Sequence, residues 1–398
     1  MMDGMKQTGI RWIGEIPVDW NIKRVKYMAN LKGRIGWQGL TSEEYQDEGA
    51  FLITGVDFLN GRINWEQCEH VPMKRWEEAK DIQIQNGDLL ITKDGTVGKV
   101  AIVSDLPGET SLNSGVLRIL PIEGYSRRFL YWVLQSEVFW NWFNFRNAGN
   151  STIIHLYQGD FAEFIYAFPK YDEQEKVADL LDNECAKLDV IAKDLEEQIS
   201  LLEKYKKSVI YEAITKNSNN CKYGRIKDLM TLQRGQDLPQ EDFIDGNIPV
   251  YGSNGIIGFH NRKTTEAPCI TIGRSGSVGE LNYIDNDFWA HNTSIYVKNA
   301  KANNMRYLFY VLSTIDIKEL ANGSAVPTLD RKNVEAVHLW FIPDVTLQKH
   351  LAEMLDRLCE KVDVVIKAKK DQIDIVKRQK QSFIYEYVTG KKRIREVR

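Results

Sequence analysis

Two glycine loops hold the residues best placed, by type and spacing, to do chemistry: LLITKDGTVGKVAI (Leu89 to Ile102) and CITIGRSGSVGELNY (Cys269 to Tyr283). Each contains Gly-small-Val-Gly, Gly95 to Gly98 and Gly276 to Gly279, a pattern suited to a tight connection that needs positive φ or close backbone approach. A plain hairpin turn would account for the glycines alone. The neighbours Lys93, Thr96 and Lys99 in one loop, and Arg274, Ser275 and Ser277 in the other, add donors that suit phosphates and base edges. Further polar candidates for nucleic-acid contact are Thr54, Asn150, Ser151 and Thr152 in the first half, and Ser253, Asn254, Arg262 and Lys263 in the second. Arg274 is the preferred base contact, because a guanidinium can grip guanine through two hydrogen bonds.

Other chemistries lack their residues. The chain has no Asn/Asp-Pro-Pro-aromatic methylation motif and no Pro-Pro pair, and Gly98-Lys99 is followed by Val100 instead of the Ser or Thr of a phosphate-binding loop. The 6 histidines include no H-E-x-x-H or clustered ligand spacing, and the 5 cysteines (Cys68, Cys185, Cys221, Cys269, Cys359) form no C-x-x-C pair, so neither a metal site nor a disulfide framework is expected. His291-Asn292 beside Trp289 reads best as a hydrogen-bonded structural histidine, and Asp194, Glu196 and Glu197 as a solvated helix face. The pattern points away from an enzyme.

With 398 residues, 43% of them hydrophobic, the chain can bury two or more cores. Its net charge of −3 requires any DNA-binding surface to be a local basic patch, and the terminal run KKRIREVR (Lys391 to Arg398) reads as solvated. No apolar leader or membrane-length apolar stretch is present, so a cytoplasmic location is expected.

The loops need a scaffold, and the sequence shows it twice. KLDVIAKDLEEQISLLEKYKKSVIYEAIT (Lys187 to Thr215) aligns without a gap to KVDVVIKAKKDQIDIVKRQKQSFIYEYVT (Lys361 to Thr389), with Lys187/Lys361, Asp189/Asp363, Gln198/Gln372, Ser208/Ser382, Tyr211/Tyr385 and Glu212/Glu386 identical. Leu181, Leu188, Leu195, Leu202 and Val209 recur every seven residues, joined by Val177, Ile191 and Tyr205, as in a coiled-coil seam. Leu355, Val362, Val376 and Phe383 make the equivalent seam, which Lys369 interrupts at the position of Leu195. Asp172 and Thr346 are the expected N-caps. Helices of about 40 residues, on the order of 60 Å long, are expected to pack on each other antiparallel with a globular domain at either end. Short apolar runs at Phe51–Val56, Asp88–Thr92, Lys99–Val103 and Gly115–Leu120 predict β-rich domains, each with one apolar helix, Phe129 to Phe143 and Tyr307 to Leu320.

The opening IGEIPVDWNIKRVK (Ile13 to Lys26), the phrase FPKYDEQEKVADLLD (Phe168 to Asp182) with its counterpart IPDVTLQKHLAEMLD (Ile342 to Asp356), and the helix ends SVIYEAIT and SFIYEYVT resemble the specificity subunit of type I restriction-modification systems. The resemblance covers essentially the whole chain. It implies an α+β fold with two β-rich target recognition domains separated by two long antiparallel helices, a pseudo-twofold tandem repeat. The implied domains are residues 1–170 and 218–344, with the spacer helices at 171–217 and 345–398. It also implies a bipartite double-stranded DNA target, two methyltransferase subunits docked around the helices and two restriction/translocase subunits in the full complex. S-adenosylmethionine, ATP and Mg²⁺ would then belong to those partners, with no cofactor on this chain. Divergent reading surfaces on repeated helices predict an asymmetric target. A non-enzymatic protein scaffold, a specificity protein of a methylation-only system and, weakest for want of a metal-binding carboxylate cluster, a standalone nuclease are the alternatives.

Overall fold

A computed structural model of the chain describes residues 4–34, 39–148, 155–215, 221–323 and 327–394. The chain forms two compact units, Met1–Asp194 with Ile373–Arg398, and Leu195–Gln372. Each contains an α+β domain and parts of both long helices, Tyr171–Thr215 and Val345–Val388.

The two domains share one topology. In the first, a four-stranded antiparallel sheet runs in the order Val100–Ile102, Leu89–Thr92, Val116–Pro121, Ala29–Gly33; in the second the same places are taken by Leu281–Ile284, Cys269–Gly273, Ser294–Asn299 and Thr231–Arg234. A three-stranded sheet accompanies each, with one parallel and one antiparallel pairing: Thr110–Leu112, Ala50–Ile53, Glu69–Val71, and Trp289–Ala290, Ile248–Gly252, Gly255–His260. Near-continuous apolar strands such as Leu89–Thr92 and Cys269–Gly273 are buried along their whole length, which is why they read as runs and not as alternation.

Helix Arg127–Gln135 packs in the first core and Met305–Ser313 in the second. The single helix expected from Phe129 to Phe143 is two, broken at Ser136, whose hydroxyl accepts from Val138 N at 3.2 Å and caps the helix Glu137–Arg146. A serine side chain competes with the helical ladder in this way. The counterpart ends at Ser313 and is followed by a separate 3₁₀ turn, Ile317–Leu320.

Both expected caps move. Asp172 lies within the first turn of its helix, and Asp344, not Thr346, caps the second, its Oδ1 accepting from Thr346 N at 2.8 Å and Leu347 N at 3.2 Å. Gly390, at φ +70°, closes the second helix where a side chain would meet Pro17.

In each unit the helix segments run antiparallel. Leu181 and Cys185 share the first core with Ile384 and Tyr387, and Lys380 bridges Asp189 at 2.6 Å. In the second unit Lys206 bridges Asp363 at 2.7 Å and Lys369 Nζ donates to Gln198 Oε1 at 2.5 Å. Leu181, Leu355 and Val362 are buried, whereas Leu188, Leu195, Leu202, Val209, Val376 and Phe383 are half-buried. Ile191 and Tyr205 are exposed and lie off the seam. The seam is completed four residues after each leucine by Cys185, Ala192, Ile199 and Lys206, of which Ala192 and Lys206 are small or polar residues that hydrophobicity alone passes over.

Buried polar anchors tie each domain to its helix. Gln174 Oε1 accepts from Ser126 N at 2.8 Å while its amide donates to Pro169 O at 2.9 Å; Gln348 repeats this with Asn304 N at 2.8 Å and Ile342 O at 2.7 Å. Asp182 accepts from Trp132 Nε1 at 2.7 Å and pairs with Arg128, and Asp356 accepts from Tyr310 Oη at 2.5 Å and pairs with Arg306 at 2.6 Å. Burial, then the Asp356 bond, pushes the Tyr310 hydroxyl well above its ordinary range. The terminal run is not wholly solvated: Arg393 pairs with Asp19 at 3.0 Å and Glu173 at 2.9 Å.

Candidate nucleic-acid interface

Both glycine loops are hairpins built alike. In the first, Thr92 N bonds Lys99 O and Gly98 N bonds Thr92 O, each at 2.9 Å; in the second, Gly273 N bonds Glu280 O at 2.8 Å and Gly279 N bonds Gly273 O at 2.9 Å. Gly98 (φ +83°) leaves room for Trp140, which a Cβ would approach to 2.5 Å. These bonds put Lys93 and Arg274 in equivalent places. Lys93 N donates to Gly115 O and Leu156 N donates to Lys93 O, at 2.8 and 2.9 Å; Arg274 N donates to Thr293 O and Leu329 N to Arg274 O, both at 2.8 Å. Each cation therefore stands on a backbone held from both sides, where the hairpin meets two other segments of its unit.

The chemistry around that shared position differs. In the first unit, Asp94 faces His155 with Oδ1 and Nδ1 2.5 Å apart, beside the half-buried Lys93. Thr96 Oγ1 and Lys99 Nζ converge on the Gly55 carbonyl at 3.0 and 3.4 Å, and Thr54 is turned inward, its hydroxyl donating to Asp57 Oδ2 at 2.9 Å. In the second unit three guanidinium side chains, Arg234, Arg274 and Arg331, line a pocket of about 350 Å³ with Asn322 and one carboxylate, Asp330. The Arg274 side chain has no hydrogen-bond or salt-bridge partner among the described residues. Burial, then the charge of Arg234, lowers its affinity for its proton against the opposing pull of Asp330. A guanidinium stays charged nonetheless; with Arg331 paired to Glu335 at 3.7 Å, Arg274 is the pocket cation that an anion or a base acceptor would satisfy.

The structure gathers some of the other polar candidates and disperses the rest. Asn254 and Ser277 line a neighbouring cleft of about 420 Å³, and a Cβ at Gly273 would lie 2.6 Å from Ser253 O, so the tip Ser253-Asn254 abuts the glycine hairpin. Ser275 forms a bridge with Thr328. Arg262 and Lys263 lie beyond strand Gly255–His260 and outside both clefts; Lys263 is neutralised by Asp287 at 2.8 Å and Glu266 at 3.2 Å. Asn150, Ser151 and Thr152 lie outside the described residues.

Sequence reasoning missed Arg234, Asn322 and Arg331 in the second unit and the Asp94–His155 pair in the first. The one local signal is an Arg/Gly pair at the end of the outer strand of each four-stranded sheet, Gly33-Arg34 for Ala29–Gly33 and Arg234-Gly235 for Thr231–Arg234. Arg34 is buried, its Nε donating to Leu112 O at 2.7 Å, whereas Arg234 is exposed. His291 makes the structural contacts its surroundings implied, to Thr293 Oγ1 at 2.9 Å. Among the described residues no group of His, Cys, Asp or Glu could hold a metal ion, and no helix is long and apolar enough to cross a membrane.

A family model described as the type I restriction modification DNA specificity domain matches residues 17–201 and 219–374. The type I restriction enzyme MjaIX specificity subunit of Methanocaldococcus jannaschii is 22% identical, over 97% of this chain and 96% of that protein. The EcoprrI specificity subunit of Escherichia coli is 25% identical over 33% of this chain and 34% of that protein. Among solved structures, a chain of a type I R-M system matches with a TM-score of 0.72 at 15% identity, covering 94% of this chain and 98% of that one. The HsdS subunit from Thermoanaerobacter tengcongensis matches with a TM-score of 0.51 at 14% identity, over 94% and 98%. These two likenesses show a shared fold.

Proposed function

From the premise that the chain belongs to the type I restriction-modification DNA specificity family, we propose that it is the non-catalytic, target-reading subunit of such a system, each unit reading one half of a bipartite, asymmetric DNA sequence. The observation that carries this reading is the equivalence of Lys93 and Arg274. The same hairpin, pinned by the same pair of backbone bonds, presents a lysine beside an Asp–His pair in one unit and an arginine within an arginine cluster in the other. A protein that performed one task twice would keep its chemistry at that place; one that reads two different half-sites varies it. Backbone-anchored cations and amide donors suit phosphate and base-edge contacts.

The repeated features then fall to repeated partners. Gln174/Gln348, Asp182/Asp356 and the pairs Asp189–Lys380 and Lys206–Asp363 recur on the helices, where two modification subunits would dock, with two restriction/translocase subunits joining the full complex. S-adenosylmethionine, ATP and Mg²⁺ serve those partners in this reading, and the assembly works in the cytoplasm. Mapping methylated adenines in the source genome, with and without this reading frame, tests it. One bipartite motif should lose methylation on deletion, and exchanging residues 1–170 should change only one half of that motif. Survival of every motif would refute the reading.

A further inference from the structure

The edge strand of the second domain's three-stranded sheet carries an apolar ribbon that the equivalent strand of the first domain lacks. Strand Gly255–His260 is the edge of its three-stranded sheet, and Ile256, Ile257 and Phe259 on it are 52%, 51% and 53% exposed. A strand whose sheet buries one face should alternate, and two adjacent exposed isoleucines break that rule. The cause is a β-bulge: the register passes from Val250↔Gly258 to Tyr251↔Ile256 and leaves Ile257 unpaired. Bulges re-aim side chains and recur beside functional sites. An exposed apolar edge is otherwise an aggregation hazard that proteins blunt with charge or proline.

Two observations identify what covers it. First, the ribbon is continuous with the target-reading surface: its tip, Ser253-Asn254, abuts the hairpin bearing Arg274, and Arg262, exposed and without an ion-pair partner among the described residues, follows the strand. Second, the ribbon is not repeated on the equivalent strand: the exposed apolar residues of the first domain that follow its central strand, Val56 and Leu59, lie outside its three-stranded sheet. The topologically equivalent edge strand of the first domain is Glu69–Val71, with an exposed glutamate, a half-buried histidine and a buried valine. A docking face for a partner bound by both units would be duplicated, as the helix anchors are. A feature confined to one unit belongs to what differs between them, the half-site.

We infer that Ile256, Ile257 and Phe259 enter the DNA major groove and read thymine through its C5-methyl group, while Ser253, Asn254 and Arg274 supply the polar contacts. The inference rests on the target-reading function proposed above. A two-stranded β-ribbon fits the major groove, where the thymine methyl is the apolar group that separates T·A from the other pairs. The half-site read by the second unit therefore contains at least one T·A pair.

The test uses the full chain assembled with its modification subunits and a duplex bearing its mapped target. Each thymine of the half-site that changes on exchanging residues 218–344 is replaced in turn by deoxyuridine, which lacks only the methyl group. At least one replacement should weaken binding roughly fourfold, the worth of one buried methyl. Ile256→Ala, Ile257→Ala or Phe259→Ala should weaken binding to thymine DNA by a similar or larger factor, and the variant responsible should show no further loss on the deoxyuridine duplex. These side chains are more than half exposed, so the variants fold; circular dichroism verifies it. A half-site without T·A, or deoxyuridine silent at every position, overturns the inference while the target-reading function stands. Variants that lose the modification subunits but keep thymine discrimination would make the ribbon a protein-docking face and also overturn it. A wild-type complex with no preferred target would defeat both readings.

Discussion

Arg274→Ala tests the cationic pocket of the second unit most directly, because its two possible roles leave different signatures. The backbone of Arg274 is held by Thr293 O and Leu329 N, both at 2.8 Å, and those bonds survive truncation of the side chain. The guanidinium itself makes no hydrogen bond or salt bridge among the described residues and is half-buried beside Arg234. Removing it relieves like-charge repulsion, so the thermal midpoint should be unchanged or slightly raised while binding falls. If Arg274 grips a guanine, its loss removes about 1–3 kcal/mol of discrimination, about five- to 150-fold, at one position of one half-site. If it holds a phosphate, affinity falls for all sequences alike and the slope of log K against log salt drops by about 0.9. Fluorescence anisotropy on the target and on duplexes changed at single positions of that half-site, between about 50 and 200 mM salt, separates the two. Unchanged affinity, specificity and salt slope together would refute the assignment of this pocket to DNA.

Further outcomes follow from the packing. Gln174→Ala should destabilise the first unit by roughly 3–5 kcal/mol, because it strands the buried Ser126 N and Pro169 O; hydrogen exchange of that unit should rise while the second keeps its protection, and Gln348→Ala should do the converse. Reversing Lys206→Asp should cost about 1 kcal/mol or less, since its partner Asp363 is largely exposed, and Asp363→Lys in the same chain should restore the midpoint at low salt. Gly98→Ala should distort the first reading hairpin, because φ is +83° and the Cβ would meet Trp140 at 2.5 Å; the first half of the methylated motif should weaken while the second is kept. Burial pushes the Cys68 and Cys185 thiols up to about 12 and Cys269 to about 11, so an aromatic disulfide at pH 8 should react first at the half-buried Cys221. Because those folded values lie above the ordinary thiol range, the stability they contribute is present below about pH 9 and lost as pH rises toward 11–12. Alkaline unfolding should therefore coincide with exposure of these thiols.

What the sequence determined by itself are the features written in local spacing. The repeat of Lys187–Thr215 at Lys361–Thr389, the leucines every seven residues, the glycine hairpins and the apolar strands Leu89–Thr92 and Cys269–Gly273 were all legible, because helical and strand periodicity and positive-φ turns act over a few neighbouring residues. The repeated Gln174/Gln348 and Asp182/Asp356 were legible too, as identities in the same register, though their role as anchors required partners about fifty residues away. Local spacing failed where a side chain had two choices: Ser136 capping instead of continuing a helix, Asp344 capping instead of Thr346, and Ala192 or Lys206 filling a seam that Ile191 and Tyr205 leave. Only the tertiary structure decided which polar residues share a surface. Arg234, Arg274 and Arg331 come from three separated segments brought to one pocket by strand pairing, while Lys263, close to Arg274 in sequence, is spent on Asp287 and Glu266. Sheet register joins residues far apart in the chain, and the free energy that fixes it is spread over whole cores, so no short stretch of sequence encodes where a reading surface will form.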